Sequence, residues 1–177
     1  MIPIDRPTYD QAAVEPMREE LVAVGFSELL TAEAVDQALL DPTVSGATTL
    51  VVLNSVCGCA AGNARPGVAL ALQNARIPDR LLTVFAGMEK AAVARVREIL
   101  APNPPSSPAM ALFKEGKLTA MIHRRDIETR NADGVAALLV SLFNQHCSAI
   151  GPSIPPERYA KLDMAKYCGS TLPRFQG

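Results

Sequence analysis

The sequence predicts an α/β domain, a central mixed sheet flanked by helices. Three features carry that prediction. Residues 48–53 (TTLVVL) and 81–86 (LLTVFA) are short, uncharged and rich in branched or aromatic side chains. Such runs suit strands buried on both faces, as in a parallel sheet. Between them lies a helical stretch long enough for a crossover. Farther on, apolar runs at 109–113 and 118–122 are joined by KEGK at 114–117, a glycine-containing hairpin turn. That hairpin gives the sheet an antiparallel edge.

In chain order, the first 47 residues read as helical. Val14, Met17, Leu21 and Val24 recur at helical spacing, Pro16 is tolerable in a first turn, and Gly25 is a stop. Thr31 caps a second helix that runs toward Leu40 and ends at Asp41-Pro42. After the first strand, residues 60–74 read as one helix kinked at Pro66, because a proline deletes a backbone hydrogen bond. Residues 89–100 carry Val93, Val96, Ile99 and Leu100 on one side of a further helix. A proline-rich loop, APNPPSSP, follows at 101–108 and leads into the hairpin. Asn131 caps a last long helix that buries Val135, Leu138, Leu139, Leu142 and Phe143. The first crossover is expected to be right-handed. Residues 1–150 form one domain on this reading. Residues 151–177 form a proline-rich tail that can pack on the domain, reach a second copy as in a homodimer, or stay mobile.

Composition narrows the function. Of 177 residues, 49% are hydrophobic and 20% charged, with a net charge of −1. A sizeable core can be buried, and there is no basic face for nucleic acid or an anionic membrane. Trp is absent and aromatics are few, so a base-stacking platform is not expected. No segment has the apolar length of a membrane span, and the start lacks the pattern of a signal peptide. A cytoplasmic protein is the default expectation. In that reducing setting the cysteines, Cys57, Cys59, Cys147 and Cys168, point to redox or metal chemistry rather than to a disulfide framework.

The chemistry concentrates in NSVCGCAAG at 54–62. Cys57 falls where a strand ends and a helix begins. Unpaired backbone N–H groups and the positive end of the helix dipole favour a thiolate there. Cys57 is therefore the expected nucleophile, with Cys59 placed to attack it in turn and release the partner. A bridge between residues two apart closes a small ring, and Gly58 relaxes its backbone. Residual strain makes such a disulfide easy to reduce. This suits disulfide donation, isomerisation or removal of a bound thiol better than strong reduction. Inert burial of both cysteines is a competing reading. A metal site of Cys57, Cys59, His146 and Cys147 is another, which requires the end of the last helix to approach the motif.

Pro108 directly precedes a strand. A cis bond after Ser107 would keep the preceding backbone groups free to pair with an extended substrate. An ordinary strand-initiating proline fits the chain order equally well. Cys147 reads either as a buried thiol or as a reserve thiol for Cys57, and Cys168 as a spectator or an intermolecular partner. His123-Arg124-Arg125 reads as a solvated strand end, with an anion site for an acidic small thiol as the alternative. Asn54 and Ser55 can bond backbone groups at the turn.

These residues resemble the bacilliredoxin family, bacterial proteins with a thioredoxin-like fold. The likeness covers about residues 10–147. It rests on NSVCGCAAG, Arg65-Pro66, PMREEL at 16–21, Gly25-Phe26, VFAG at 84–87, PSSPAMAL at 105–112 and His146-Cys147. The resemblance implies a thioredoxin-like fold with added N-terminal helices, and no cofactor. It implies thiol–disulfide exchange on client proteins that carry a mixed disulfide with bacillithiol, and disulfide isomerase activity. Cys57 matches the family's attacking cysteine, Cys59 its second cysteine and Pro108 its cis-proline. Gly58 and Ser107 join Pro108 in contacting substrate. The tail with Cys168, together with Asn63 and Gly67, departs from the family pattern.

Overall fold

The computed structural model describes residues 6–44 and 46–164. Helix α1 (Gln11–Val22) starts at Asp10, whose carboxylate accepts from the Ala13 amide at 3.1 Å. It stops at Gly25, whose φ of +109° only glycine adopts easily, and the Phe26 amide donates back to the Leu21 carbonyl. Pro16 stands in the second turn rather than the first. The expectation of an all-helical N-terminal region is corrected at this point. A two-residue strand, β1 (Ser27–Glu28), lies between α1 and α2 (Ala32–Leu39). Phe26 and Leu29 are both buried beside it, and the Leu29 amide donates to the Thr83 carbonyl. A strand this short has no periodicity to announce it. Thr31 caps α2 as expected, accepting from the Ala34 amide at 3.1 Å.

The sheet is five-stranded, in the order β1-β4-β2-β5-β6. Its centre is β2 (Thr48–Asn54), buried along its whole length. It pairs in parallel with β4 (Arg80–Phe85) and antiparallel with β5 (Ala109–Lys114). β6 (Lys117–Ile122) completes the hairpin through Glu115 and Gly116, both at positive φ, the geometry of the tightest hairpin turns. The connection from β2 to β4 therefore crosses over the sheet, and it does so through α3 (Arg65–Ala71). The small pair β3 (Arg76–Ile77) and β7 (Ala149–Ile150) lies outside the main sheet.

Alternating side chains of β2 and β5 feed two apolar layers. Leu50, Val52, Met110 and Leu112 pack with α3 and α6 (Ala132–His146). Val51, Leu53, Ala111 and Phe113 pack with α2 and α4 (Lys90–Ile99). α3 and α6 meet closely at Gly67, where a Cβ would sit 2.7 Å from that of Val135. Asn131 caps α6 through its side-chain oxygen, which accepts from Gly134 at 2.9 Å. A short helix, α5 (Arg124–Glu128), joins β6 to α6.

Beyond residue 150 the chain stays on the domain through its described part. The Ser153 amide donates to the Leu72 carbonyl at 2.9 Å, and Ile154 is buried in the α3–α6 layer. α7 (Pro156–Tyr159) follows. Cys168 lies outside the described residues. Five strands with helices on both faces make a thioredoxin-like α/β fold. Among the described residues, no helix is long and apolar enough to cross a membrane.

Candidate active site

The site is built at the carboxyl end of β2. After Asn54 the strand breaks into Ser55, Val56 and Cys57, and helical backbone begins at Gly58. The helical backbone runs on through Pro66 to Ala71, as expected, but not as a uniform α-helix. A π-helical turn, Ala60–Ala64, precedes α3, which starts at Arg65. Pro66 thus stands inside the helical run, directly after the π-helical turn, and leaves it one backbone N–H short.

A buried polar cluster fixes this junction from behind. Arg65 is fully buried in a segment of alanines and glycines. Its Nε donates to Glu20 Oε2 at 2.5 Å. Its Nη1 donates to Asn54 Oδ1 at 3.2 Å and to the Ser55 carbonyl at 2.9 Å. The Asn54 side chain also accepts from the Ser55 amide and donates to the Met17 carbonyl. One guanidinium therefore ties α1, the end of β2 and the start of α3 together. Ser55, held at its backbone on both sides, donates its hydroxyl to Cys57 Sγ at 3.2 Å.

Cys57 and Cys59 are both partly exposed, and their sulfurs lie 2.7 Å apart as free thiols. Gly58 is exposed between them. Burial pushes the Cys57 thiol up, but hydrogen bonds from Cys59, Ser55 and the Ala60 amide, with the charge of Arg124, outweigh it. The net effect holds Cys57 below its ordinary range. Burial, the hydrogen bond to Cys57 and repulsion from its charge push Cys59 up to about 11. Cys57 is thus the thiol of the pair that ionises first, and Cys59 the one that keeps its proton.

The register of the sheet brings the proline loop to the same place. Leu53 faces Ala109 across β2 and β5, which sets Pro108 beside Asn54. The Ser107–Pro108 bond is cis. Arg124, the first residue of α5, donates to the Ser107 carbonyl at 3.3 Å and to Glu128 at 3.2 Å. A groove of about 320 Å³ opens at Cys57 and is also lined by Ser55, Gly87, Arg97, Ser107 and Arg124.

Cys147 is not brought to this site. It ends α6, buried, and its thiol hydrogen-bonds Thr48 at the opposite end of β2. Seven strand residues separate the two ends, about 20 Å. Burial also pushes the Cys147 thiol up. The reserve-thiol reading has no geometric support. The four-ligand metal site fails for the same reason, since His146 lies with Cys147. Among the described residues, no group of three or more His, Cys, Asp or Glu side chains could hold a metal ion.

Three contributors escaped the sequence reading in these roles. Ser55 bonds the sulfur, not only the turn. Arg65 was legible only as a cation stranded in an apolar segment. Arg97 gave no signal at all, being one basic residue on an amphipathic helix.

Residues 9–147 match the family model described as disulphide isomerase. A bacilliredoxin of Halalkalibacterium halodurans is 52% identical over 139 residues, 78% of this chain and 94% of that protein. A bacilliredoxin of Geobacillus kaustophilus is 49% identical over 81% of this chain and 96% of its own. The bacilliredoxin of Salinibacter ruber is 49% identical over 84% and 85%. The chain belongs to the bacilliredoxin family. At family level this is a thiol–disulfide oxidoreductase, in agreement with the resemblance carried by the Cys-Gly-Cys stretch. The family match ends at Cys147, so β7 and α7 lie beyond it.

Proposed function

We propose that the protein removes a low-molecular-weight thiol of the bacillithiol type from mixed disulfides on client proteins. The asymmetry of the two thiols is the observation that carries this reading. The Cys57 thiolate attacks the small-thiol sulfur, and the client cysteine leaves as a thiolate that takes up a proton. Cys57 then holds the small thiol in a mixed disulfide. Cys59, held as a thiol 2.7 Å away, loses its proton and attacks Cys57 Sγ. The small thiol departs and a Cys57–Cys59 disulfide forms. An external thiol reductant returns that disulfide to the dithiol. Pro108 and the Ser107 backbone flank the thiols and receive the client chain, with exposed Gly58 on the other side. The same attack on a scrambled client disulfide would give isomerase activity. A reducing cytoplasm suits free thiols of this kind.

The test is intact mass spectrometry of the reduced protein exposed to client mixed disulfides. Cys57→Ser is expected to abolish transfer, and Cys59→Ser to trap the small thiol on Cys57. Full transfer by Cys57→Ser would refute the assignment.

A further inference from the structure

The groove at Cys57 contains two cations and no carboxylate. Thr8, Tyr9, Val56 and Ala86 complete its walls, all of them neutral. Arg124 is already engaged with Glu128 and the Ser107 carbonyl. Arg97 is different. It has no hydrogen-bond or ion-pair partner among the described residues, and its Nε is buried without an acceptor. Native proteins rarely leave a buried charged donor unmatched unless something outside the chain supplies the match. The direction of the side chain fits that requirement. α4 begins just after the carboxyl end of β4, close to Cys57, and helical side chains lean toward their own helix N-terminus. Arg97, in the last turn of α4, therefore extends back toward the thiols.

We infer that Arg97 is a specificity-determining residue that binds a carboxylate of the small thiol delivered to Cys57, with Arg124 as the second arm. This rests on the thiol-removal reading above and adds the side chain that recognises the anionic part of the thiol. The size of the groove favours a small molecule over a peptide, since about 320 Å³ is at the lower end of small-ligand pockets. Thr8 and Tyr9 wall one side of it. The Thr8 amide donates to the Gly87 carbonyl at 2.6 Å, and the Tyr9 ring lies where a Cβ on residue 87 would be, 2.8 Å away. An extended client chain is left the Ser107–Pro108 side, and Arg97 lines the groove apart from it. Two guanidinium groups in one neutral groove, partly screened from water, select for anionic ligands.

The experiment compares two donors with the full chain: a peptide mixed disulfide with mercaptosuccinate, which carries two carboxylates, and the same peptide with 2-mercaptoethanol, which carries none. Arg97→Gln is expected to lower kcat/KM for the mercaptosuccinate donor about tenfold, through KM, the size of a lost charge-assisted hydrogen bond. The 2-mercaptoethanol donor should change less than twofold. The pH midpoint of Cys57 alkylation should stay where it is, and Arg97→Lys should recover part of the loss. On the unmodified chain, added salt should slow the acidic donor selectively, a readout that needs no variant. Equal losses for the two donors, or no salt discrimination, would overturn the inference and leave Arg97 as a support for α4 alone. If the native chain accepts a thiol from neither donor, the thiol-removal reading falls and this one with it. Transfer from both without discrimination refutes only the role of Arg97.

Discussion

Iodoacetamide should modify Cys57 well before Cys59, and the margin can be worked from the structure. Cys59 is pushed up to about 11, so about 0.01% of it is thiolate at pH 7. A thiol at the unperturbed 9.0 would be about 1% thiolate, and Cys57 is held below that value. The thiolate fractions therefore differ by at least about 100-fold. A less basic thiolate is also a weaker nucleophile. With a Brønsted slope near 0.45, two pH units of basicity cost roughly eightfold. The expected preference is tenfold or more, and it grows as the Cys57 value falls. The assay is a short pulse with limiting reagent from pH 6 to 10, followed by peptide mass mapping of the first modified cysteine. The Cys57 rate should rise as pH climbs through its folded pKa, with a midpoint below 9. Ser55→Ala removes the hydroxyl that bonds the sulfur at 3.2 Å and should move the midpoint up by roughly one pH unit. Arg124→Gln removes an exposed charge and should move it up by only about a few tenths. Initial labelling at Cys59, or a Ser55→Ala midpoint below that of the parent, would refute the division of roles.

The remaining predictions concern the support of the site and its redox poise. Arg65→Met removes the cation buried against Glu20 and should cost about 3–5 kcal/mol, a Tm loss of roughly 10–15 °C by calorimetry. A change below about 1 kcal/mol would contradict the role given to this pair. Gly67→Ala pushes a methyl to within 2.7 Å of the Val135 Cβ and should cost about 1–3 kcal/mol in denaturant unfolding, with thiol transfer retained in the folded fraction. The Cys57–Cys59 disulfide, closing a ring smaller than that of Cys-X-X-Cys, should have a potential less negative than about −270 mV in equilibrium with a dithiol buffer. A more negative value would remove the argument from ring size.

Much of the fold was legible because its main elements are long and patterned. TTLVVL and LLTVFA could only be buried strands, and KEGK could only be a tight turn. The structure agrees to within one residue at the strand ends, and the outer lysines of KEGK, Lys114 and Lys117, belong to β5 and β6. β1, β3 and β7 were not legible, since two-residue strands exist through a partner and not through local preference. Pro66 was legible as a proline inside a helix, but the form of the irregularity was not. A proline marks where a helix loses a backbone donor, and here the irregularity is a π-helical turn, Ala60–Ala64, just before Arg65. Within the site, the positions of Cys57 and Cys59 followed from the strand-to-helix junction. The placement of Cys147 did not, because a helix packed on a sheet can run either way along the strands, so a cysteine at its end can lie at either end of β2. Helix direction decides between these outcomes, and only the three-dimensional register reveals it.

The buried cluster behind the thiols explains why an arginine is retained in a segment otherwise made of alanine and glycine. A buried ion pair is a poor source of stability, since desolvation of both charges offsets most of their attraction. Hydrophobic residues of similar volume would hold α1 against α3 at least as well. What they could not do is supply donors to two different acceptors at the end of β2. Arg65 Nη1 does so, reaching Asn54 Oδ1 and the Ser55 carbonyl, while Asn54 Oδ1 also accepts the Ser55 amide. Together these bonds fix both backbone polar groups of Ser55, and so the direction in which its hydroxyl points. That hydroxyl is one of the donors holding Cys57 below the ordinary thiol range. The same turn sets Val56 and Cys57 at the mouth of the groove. The physical case for Arg65 is therefore positional: its geometry at the carboxyl end of β2 is transmitted through Ser55 to the charge state of the attacking sulfur.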